Sequence, residues 1–536
     1  MKRFLLFLIF LTSLTTFSQE EAWVYFNDKP NSQIFLDNPL TMLTQRALDR
    51  RTNQGIALNV NDTPIHQPYI DQITAANGIV VKAKSKWLNC LHIRGSIANI
   101  QALTSFSFVN HIHFANNALN LKTSNSTQII PVNKQMETQI VFPYGNSTNQ
   151  IQMLNGHLLH QQNFTGAGKI IAVLDSGFIN VNTAQPFQRL FDNNLILGGY
   201  NFVSKNNNIY ALHNHGTLVL SCMGGYKANE LVGSAPDAQY YLFITEDVTS
   251  ENPVEESNWV EAAEEADRLG VDIITSSLGY FGYDNPNYSH TYSDMTGNTN
   301  FASQGVNIAF SKGIVVVISA GNNGATGEPH VGVPAEATNA LAIGAVNPTE
   351  VYANFSSIGP SFDGRIKPDV MAQGQDAVLS NTDGAIITAS GTSFSGPIMA
   401  GMIASFWQAF PSLTNQQVVN LVKQSSDRFS NPTNQYGYGI PDFQLASNNA
   451  LLNVTPSEKQ HFVLYPNPTT DIIKIKFSTD FVDVKMMIFN SLGQMVLEKS
   501  NVQSDENINL ENLNSGIYFY KIASANATLT GKIIKK

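Results

Sequence analysis

Three short segments carry side chains that together could perform acyl transfer. They are Leu174-Asp175-Ser176-Gly177, His215-Gly216-Thr217 and Gly391-Thr392-Ser393-Phe394-Ser395-Gly396-Pro397. They supply an acid, a base and a hydroxyl, each beside a small residue that leaves room for close approach. A serine hydroxyl is a poor nucleophile until a base removes its proton. An imidazole can take that proton, and a carboxylate can orient the imidazole and stabilise its charged form. Each segment alone has a plainer reading: a capped helix start for Gly-Thr-Ser, a solvated strand-end residue for Asp175. Read together, their order is Asp, His, Ser. Chain order separates the unrelated folds that carry this triad: α/β-hydrolases run Ser, acid, His, and the chymotrypsin type runs His, Asp, Ser.

The neighbours sharpen the assignment. Ser393 precedes Pro397 and an apolar stretch, Ile398 to Phe410, that reads as a buried helix. The pattern puts Pro397 in the first helical turn, where its missing donor costs little, and Ser393 at a helix N-terminus, where partial positive charge favours an anion. His215 is followed by Leu218-Val219-Leu220 and also opens a helix. His213 lacks the following Gly-Thr and reads as a loop residue. Ser319-Ala320-Gly321-Asn322-Asn323-Gly324 could place an amide donor on the oxyanion of a tetrahedral intermediate, beside the Ser393 backbone amide; alone it reads as a Gly-Asn turn. Cys222 lies two helical turns beyond His215 and reads as a small buried apolar residue rather than a reactive thiol. No Cys/His cluster has zinc spacing, and no acidic loop shows a calcium-ligand pattern.

These groups need a scaffold, and the hydrophobic pattern predicts one. Lys169 to Leu174, Val271 to Ile274 and Ile314 to Ile318 are nearly continuous apolar runs, as in strands buried on both faces. Between the first two, Val254 to Leu269 places Trp259, Ala262, Ala263, Ala266 and Leu269 at helical spacing. Alternating strands and helices imply a parallel sheet covered on both faces, with sites at the carboxyl ends of the strands. Asp175, Ser277-Leu278-Gly279 and Gly321-Asn322 fall at such ends.

The rest of the chain frames this region. With 536 residues, several units are expected. A net charge of −10 without a long basic run gives no footprint for nucleic acid. Two cysteines, Cys90 and Cys222, cannot make a disulfide framework. Lys2-Arg3, the apolar run Phe4 to Leu11 and Thr16-Phe17-Ser18 read as an export signal over 1–18; a buried N-terminal strand is the alternative. From 19 to 124 the pattern is mixed, with strands at Ala22 to Phe26 and Gly78 to Val81 and a basic helix at Thr41 to Thr52. A polar stretch over 125–148 reads as a linker. After 458, strands at Ile472 to Phe477, Lys485 to Phe489, Gly516 to Ile522 and Leu529 to Ile534 suggest a small β-sandwich.

The ordered Asp175, His215 and Ser393 motifs, with the Asn322 segment, resemble the subtilisin-like serine peptidases (subtilases). The resemblance implies a doubly wound, mostly parallel α/β catalytic domain over 149–448, preceded by an α+β propeptide over 19–124 that assists folding and blocks the cleft. It assigns the oxyanion donor to Asn322 and main-chain substrate pairing to Ser277, Leu278 and Gly279. Tyr280 stands where subtilases often carry another glycine, so residue preference does not transfer, and Leu218 replaces a second histidine that is not catalytic in the family. Gly233 to Pro236 and Lys367 to Val370 are family-like framework. Tyr465-Pro466-Asn467-Pro468, Leu492-Gly493-Gln494, Ser515-Gly516-Ile517-Tyr518 and the Lys-rich end resemble the C-terminal sorting domain of the type IX (Por) secretion system, implying a sorting β-sandwich over 458–536. The alternative there is an accessory immunoglobulin-like module.

The expected protein is a secreted or surface-attached, monomeric serine endopeptidase. It would act on polypeptides through an acyl-enzyme, be inhibited by its own propeptide and be handled by the type IX machinery. No metal ligand or cofactor is assigned, although calcium sites are frequent in the family. A non-catalytic adhesin on the same scaffold and a lipase are the competing readings; intact Asp, His, Ser and Asn weigh against the first. Chain order and the absence of a Gly-x-Ser-x-Gly elbow at Ser393 weigh against the second.

Overall fold

The computed structural model describes residues 19–120, 142–453, 462–477, 481, 483–490, 493–524 and 528–536. The export-signal reading of 1–18, most of the expected linker and Leu492 lie outside them. The chain divides into two compact units, 1–450 and 451–536.

Alternation of apolar residues that face two ways builds the larger unit. Strand β5 (Ile170–Asp175) is buried at every position. Its Ile171 and Val173 enter one hydrophobic core, while Ile170, Ala172 and Leu174 enter another. That is the period of two expected of a strand covered on both sides. It joins β6 (Ile196–Asn201), β7 (Gln239–Ile244), β8 (Ile273–Ser276), β9 (Val315–Ser319), β10 (Leu341–Val346) and β11 (Val370–Gln373). Their order is β11-β10-β9-β8-β5-β7-β6, and all neighbours are parallel. From β5 the chain winds to β7 and β6 on one side, then returns to build outward from β8. The junction of β5 with its neighbours is therefore the switch point where a crevice opens.

Helices α4 (His215–Gly224) and α7 (Thr392–Ala409) pack into the first core. Helices α5 (Val254–Leu269) and α6 (Phe301–Ser311) pack into the second. The expected strands shift by one or two residues, whereas the Val254–Leu269 helix lies where its period placed it.

Residues 19–120 form an antiparallel sheet of β1 (Gln19–Phe26), β2 (Val80–Ser85), β3 (Cys90–Ser96) and β4 (Val109–Phe114), in the order β2-β3-β1-β4. One face carries its own core, including Val24, Leu91 and Ile93. The other lies on α5 and α6: the Trp23 ring stacks on Phe301 at 5.0 Å and its Nε1 donates to Ser257 at 2.8 Å. Glu264 on α5 accepts from the Ser85 hydroxyl and the Trp87 amide at 2.7 and 2.9 Å.

Two expectations are corrected here. The basic helix does not begin at Thr41. Pro39–Thr41 forms a separate tight turn, and α1 runs Gln45–Asn53 because Thr44 caps it, its hydroxyl accepting from the Ala47 amide at 3.3 Å. The second strand is Val80–Ser85 rather than Gly78 to Val81. Arg50 and Arg51 of α1 are buried against Asp267 at the end of α5; Arg51 also pairs with Asp62 at 3.0 Å, and Lys312 reaches the same carboxylate at 2.9 Å.

The second unit holds antiparallel sheets of three and four described strands around a core that includes Ile473, Ile475, Met486, Ile488 and Ile533. Ile472–Phe477 and Lys485–Phe489 match the expected strands, and the last two run Gly516–Ala523 and Thr528–Lys535.

Candidate active site

Asp175 is the last residue of β5 and is fully buried. One oxygen, Oδ1, accepts from the Ser176 amide at 2.7 Å and from His215 Nδ1 at 2.8 Å; Oδ2 is buried and has no partner among the described residues. The small residues beside each group have a steric cause. A Cβ on Gly177 would lie 2.3 Å from the His213 amide nitrogen, and one on Gly216 would lie 2.5 Å from the Gly177 carbonyl oxygen. Only glycines let the start of α4 sit against the end of β5. The Asp175 carboxylate raises the His215 pKa, outweighing burial, which lowers it. His213 is exposed in the preceding loop, and its Nδ1 accepts from the His215 amide at 3.3 Å.

Ser393 is the second residue of α7 and nine-tenths buried. The next residue, Phe394, places its ring 6.3 Å from that of His215. The Ser393 hydroxyl is not hydrogen-bonded to His215 among the described residues. In unliganded sites such bonds are often long and tighten when substrate is bound. The expectation for Pro397 is corrected: α7 already begins at Thr392, so the proline lies inside the helix. Its ring nitrogen cannot donate to the carbonyl four residues back, which is that of Ser393. The Ser277 hydroxyl donates to this carbonyl instead, at 3.0 Å.

Asn322 follows β9 and is exposed. Its Oδ1 accepts from the Thr392 amide and hydroxyl at 2.9 and 3.1 Å. That fixes the carboxamide and leaves Nδ2 without a partner among the described residues. The Asn323 amide is engaged by Ser357 at 3.0 Å. At the first turn of α7 the Ser393 amide has no helical partner. Ser277, Leu278 and Gly279 follow β8. They line a cavity of about 230 Å³ together with Ser319 to Asn323, Gly332, Val333, Ala335, Ser357, Thr392 and Ser393. Larger cavities of about 340 and 620 Å³ lie between the N-terminal sheet and the α/β region. Neither contains Asp175, His215 or Ser393, so chemistry and not size identifies the site.

Sequence reasoning missed the residues that hold these groups. Thr392 orients Asn322, the Ser319 hydroxyl donates to the Thr392 carbonyl at 2.8 Å, and the Ser277 hydroxyl donates to the Ser393 carbonyl. The spacing of Pro397 four after Ser393 was a usable signal for the last. Cys222 is buried as expected, and burial pushes its thiol up to about 12. Among the described residues no group of three His, Cys, Asp or Glu side chains is arranged for a metal ion.

A model of the subtilase family matches residues 166–439. A peptidase S8 propeptide domain of Bacteroidota matches 21–130, and a secretion system C-terminal sorting domain matches 463–536. Similar proteins include subtilisin NAT of Bacillus subtilis subsp. natto, 31% identical over 57% of this chain and 71% of its own length. Subtilisin DY of Bacillus licheniformis is 26% identical over 57% of this chain and 98% of its own. A thermostable alkaline protease of Halalkalibacterium halodurans is 26% identical over 60% of this chain and 77% of its own.

Proposed function

The chain belongs to the subtilase family of serine endopeptidases and carries a propeptide domain and a secretion sorting domain, and on that premise we propose that Asp175, His215 and Ser393 form its catalytic triad. His215 removes the Ser393 proton as the hydroxyl attacks a peptide carbonyl. Asp175 holds the imidazole through Nδ1 and stabilises its cationic form. The oxyanion of the tetrahedral intermediate is held by Asn322 Nδ2 and the Ser393 amide. Protonated His215 then passes its proton to the leaving amine, and water, activated by the same imidazole, releases the acyl group.

Substrate is an extended polypeptide that adds as a strand to the main chain of Ser277, Leu278 and Gly279. The N-terminal domain is the inhibitor of the precursor, residues 1–18 direct export, and the sorting domain hands the protein to the type IX machinery. The observation that carries the catalytic reading is the 2.8 Å bond between His215 Nδ1 and Asp175 at the strand end, with the Ser393 helix packed beside it. The test is hydrolysis of casein by the processed wild type and by Ser393→Ala. The variant should lose turnover by a factor on the order of 10⁶, a range that itself comes from a subtilisin. Wild-type turnover in the variant would remove Ser393 from the mechanism.

A further inference from the structure

Tyr280 departs from the family pattern, and its surroundings give the departure a role. The side chain is 1% exposed. Its amide donates to the Val333 carbonyl at 2.7 Å, and its hydroxyl donates to Glu246 Oε1 at 2.7 Å. The Thr245 hydroxyl donates to the same oxygen at 3.0 Å. Glu246 follows β7 and Tyr280 follows β8, and β5 with Asp175 at its end lies between those strands. The bond therefore ties together the two strand ends that flank the aspartate.

The segment between β8 and Tyr280 is pinned elsewhere too. Trp259 Nε1 donates to the Ser276 hydroxyl at 3.0 Å, and Ser277 is bound to the Ser393 carbonyl at 3.0 Å. Among the described residues, no hydrogen bond engages the main chain of Leu278 or Gly279. Two unpaired residues are thus suspended between fixed points, the arrangement an added strand requires.

We propose that Tyr280 and Glu246 form a strut that sets the position of the Leu278–Gly279 main chain, making them positioning residues for extended peptide substrates. The proposal rests on the peptidase reading above. A long peptide pairs with this edge, whereas a small amino-acid ester reaches only the reacting centre. The strut therefore acts on peptide binding rather than on the chemical step.

The charge state of the acid fits this role. Burial, with Glu251 and Asp175 nearby, pushes Glu246 up to about 8, and burial with Glu246 and Glu251 nearby pushes Glu255 up to about 9. Burial disfavours the carboxylate form of Glu246, and a glutamine carbonyl at the same place would accept from Tyr280 and Thr245 as Oε1 does.

The experiment compares processed wild type, Tyr280→Phe, Glu246→Ala and Glu246→Gln on a quenched fluorescent octapeptide and on N-acetyl-tyrosine ethyl ester, with thermal unfolding as a check on folding. Loss of one buried hydrogen bond to the edge should raise KM for the octapeptide about tenfold in Tyr280→Phe and Glu246→Ala. Octapeptide kcat and both ester constants should stay within about twofold, and Glu246→Gln should match the wild type. Equal losses on ester and octapeptide, or a Glu246→Gln variant as impaired as Glu246→Ala, would overturn the strut. Failure of the wild type to turn over the ester would instead strike the peptidase reading on which it rests.

Discussion

The hydroxyl of Ser277 donates to the main-chain carbonyl of Ser393 at 3.0 Å, so the segment after β8, proposed to pair with substrate, is fastened directly to the residue proposed as nucleophile. Pro397 creates the need, since it removes the helical amide that would serve this carbonyl. Ser277→Ala leaves a buried acceptor unpaired, which costs about 1–3 kcal/mol. Denaturant unfolding should show that loss, and kcat should fall several-fold as the first turn of α7 loosens. An unchanged midpoint and unchanged kcat would mean that water replaces the hydroxyl without consequence.

The ion pair of His215 with Asp175 sets the pH response. The nearby carboxylate favours the charged imidazole, and a general base must be neutral. Activity should therefore fall as pH drops through a value above the ordinary imidazole pKa of about 6.5. Stability runs the other way: a raised folded-state pKa contributes stability fully below the unfolded value, and that contribution is lost as pH rises through the folded value. Asp175→Asn removes the charge, so the acid limb should move to lower pH while kcat falls by a factor on the order of 10⁴. A limb that does not move would assign it to another group.

Asn322 gives a narrower test. With Oδ1 held by Thr392, only Nδ2 is left to act, and removing it should lower kcat by a factor on the order of 10²–10³, a range that comes from a subtilisin. KM should change little, because the donor acts on charge that develops after binding. A change confined to KM would place Asn322 in ground-state binding.

The proposed catalytic groups could be picked out of the sequence because each motif is local. Asp175 needs a strand end, His215 and Ser393 need helix starts, and each needs a glycine nearby; all of this is written within a few residues. The Val254–Leu269 helix was legible because its apolar period runs over four turns. The N-terminal basic helix was misplaced because apolar content around Met42 and Leu43 continues past the real boundary, which Thr44 fixes as a cap. Tertiary partners left no such trace. Nothing near Glu246 announces a hydroxyl from Tyr280, and nothing in Thr392 announces Asn322, because both pairings follow from sheet order rather than spacing.

The buried cluster joining α1 to the α/β region predicts a folding defect when broken. Arg51→Leu removes the partner shared by Asp62 and Asp267. Taking one partner from a buried ion network typically costs about 3–5 kcal/mol. Unfolding of the precursor carrying Ser393→Ala, a change meant to keep the N-terminal domain attached, should show the loss directly, with Arg50→Lys milder than Arg51→Leu. An Arg51→Leu precursor as stable as its parent would mean that the cluster is dispensable for docking.

Covalent labelling tests most directly whether Ser393 is the nucleophile and His215 its base, as proposed. Processed wild-type protein should be treated with a fluorophosphonate probe, digested and mapped by mass spectrometry. The adduct should lie on Ser393, and it should vanish in His215→Ala. An adduct on another serine, or none after removal of the N-terminal domain has been verified, would contradict the assignment and leave the scaffold without its proposed chemistry.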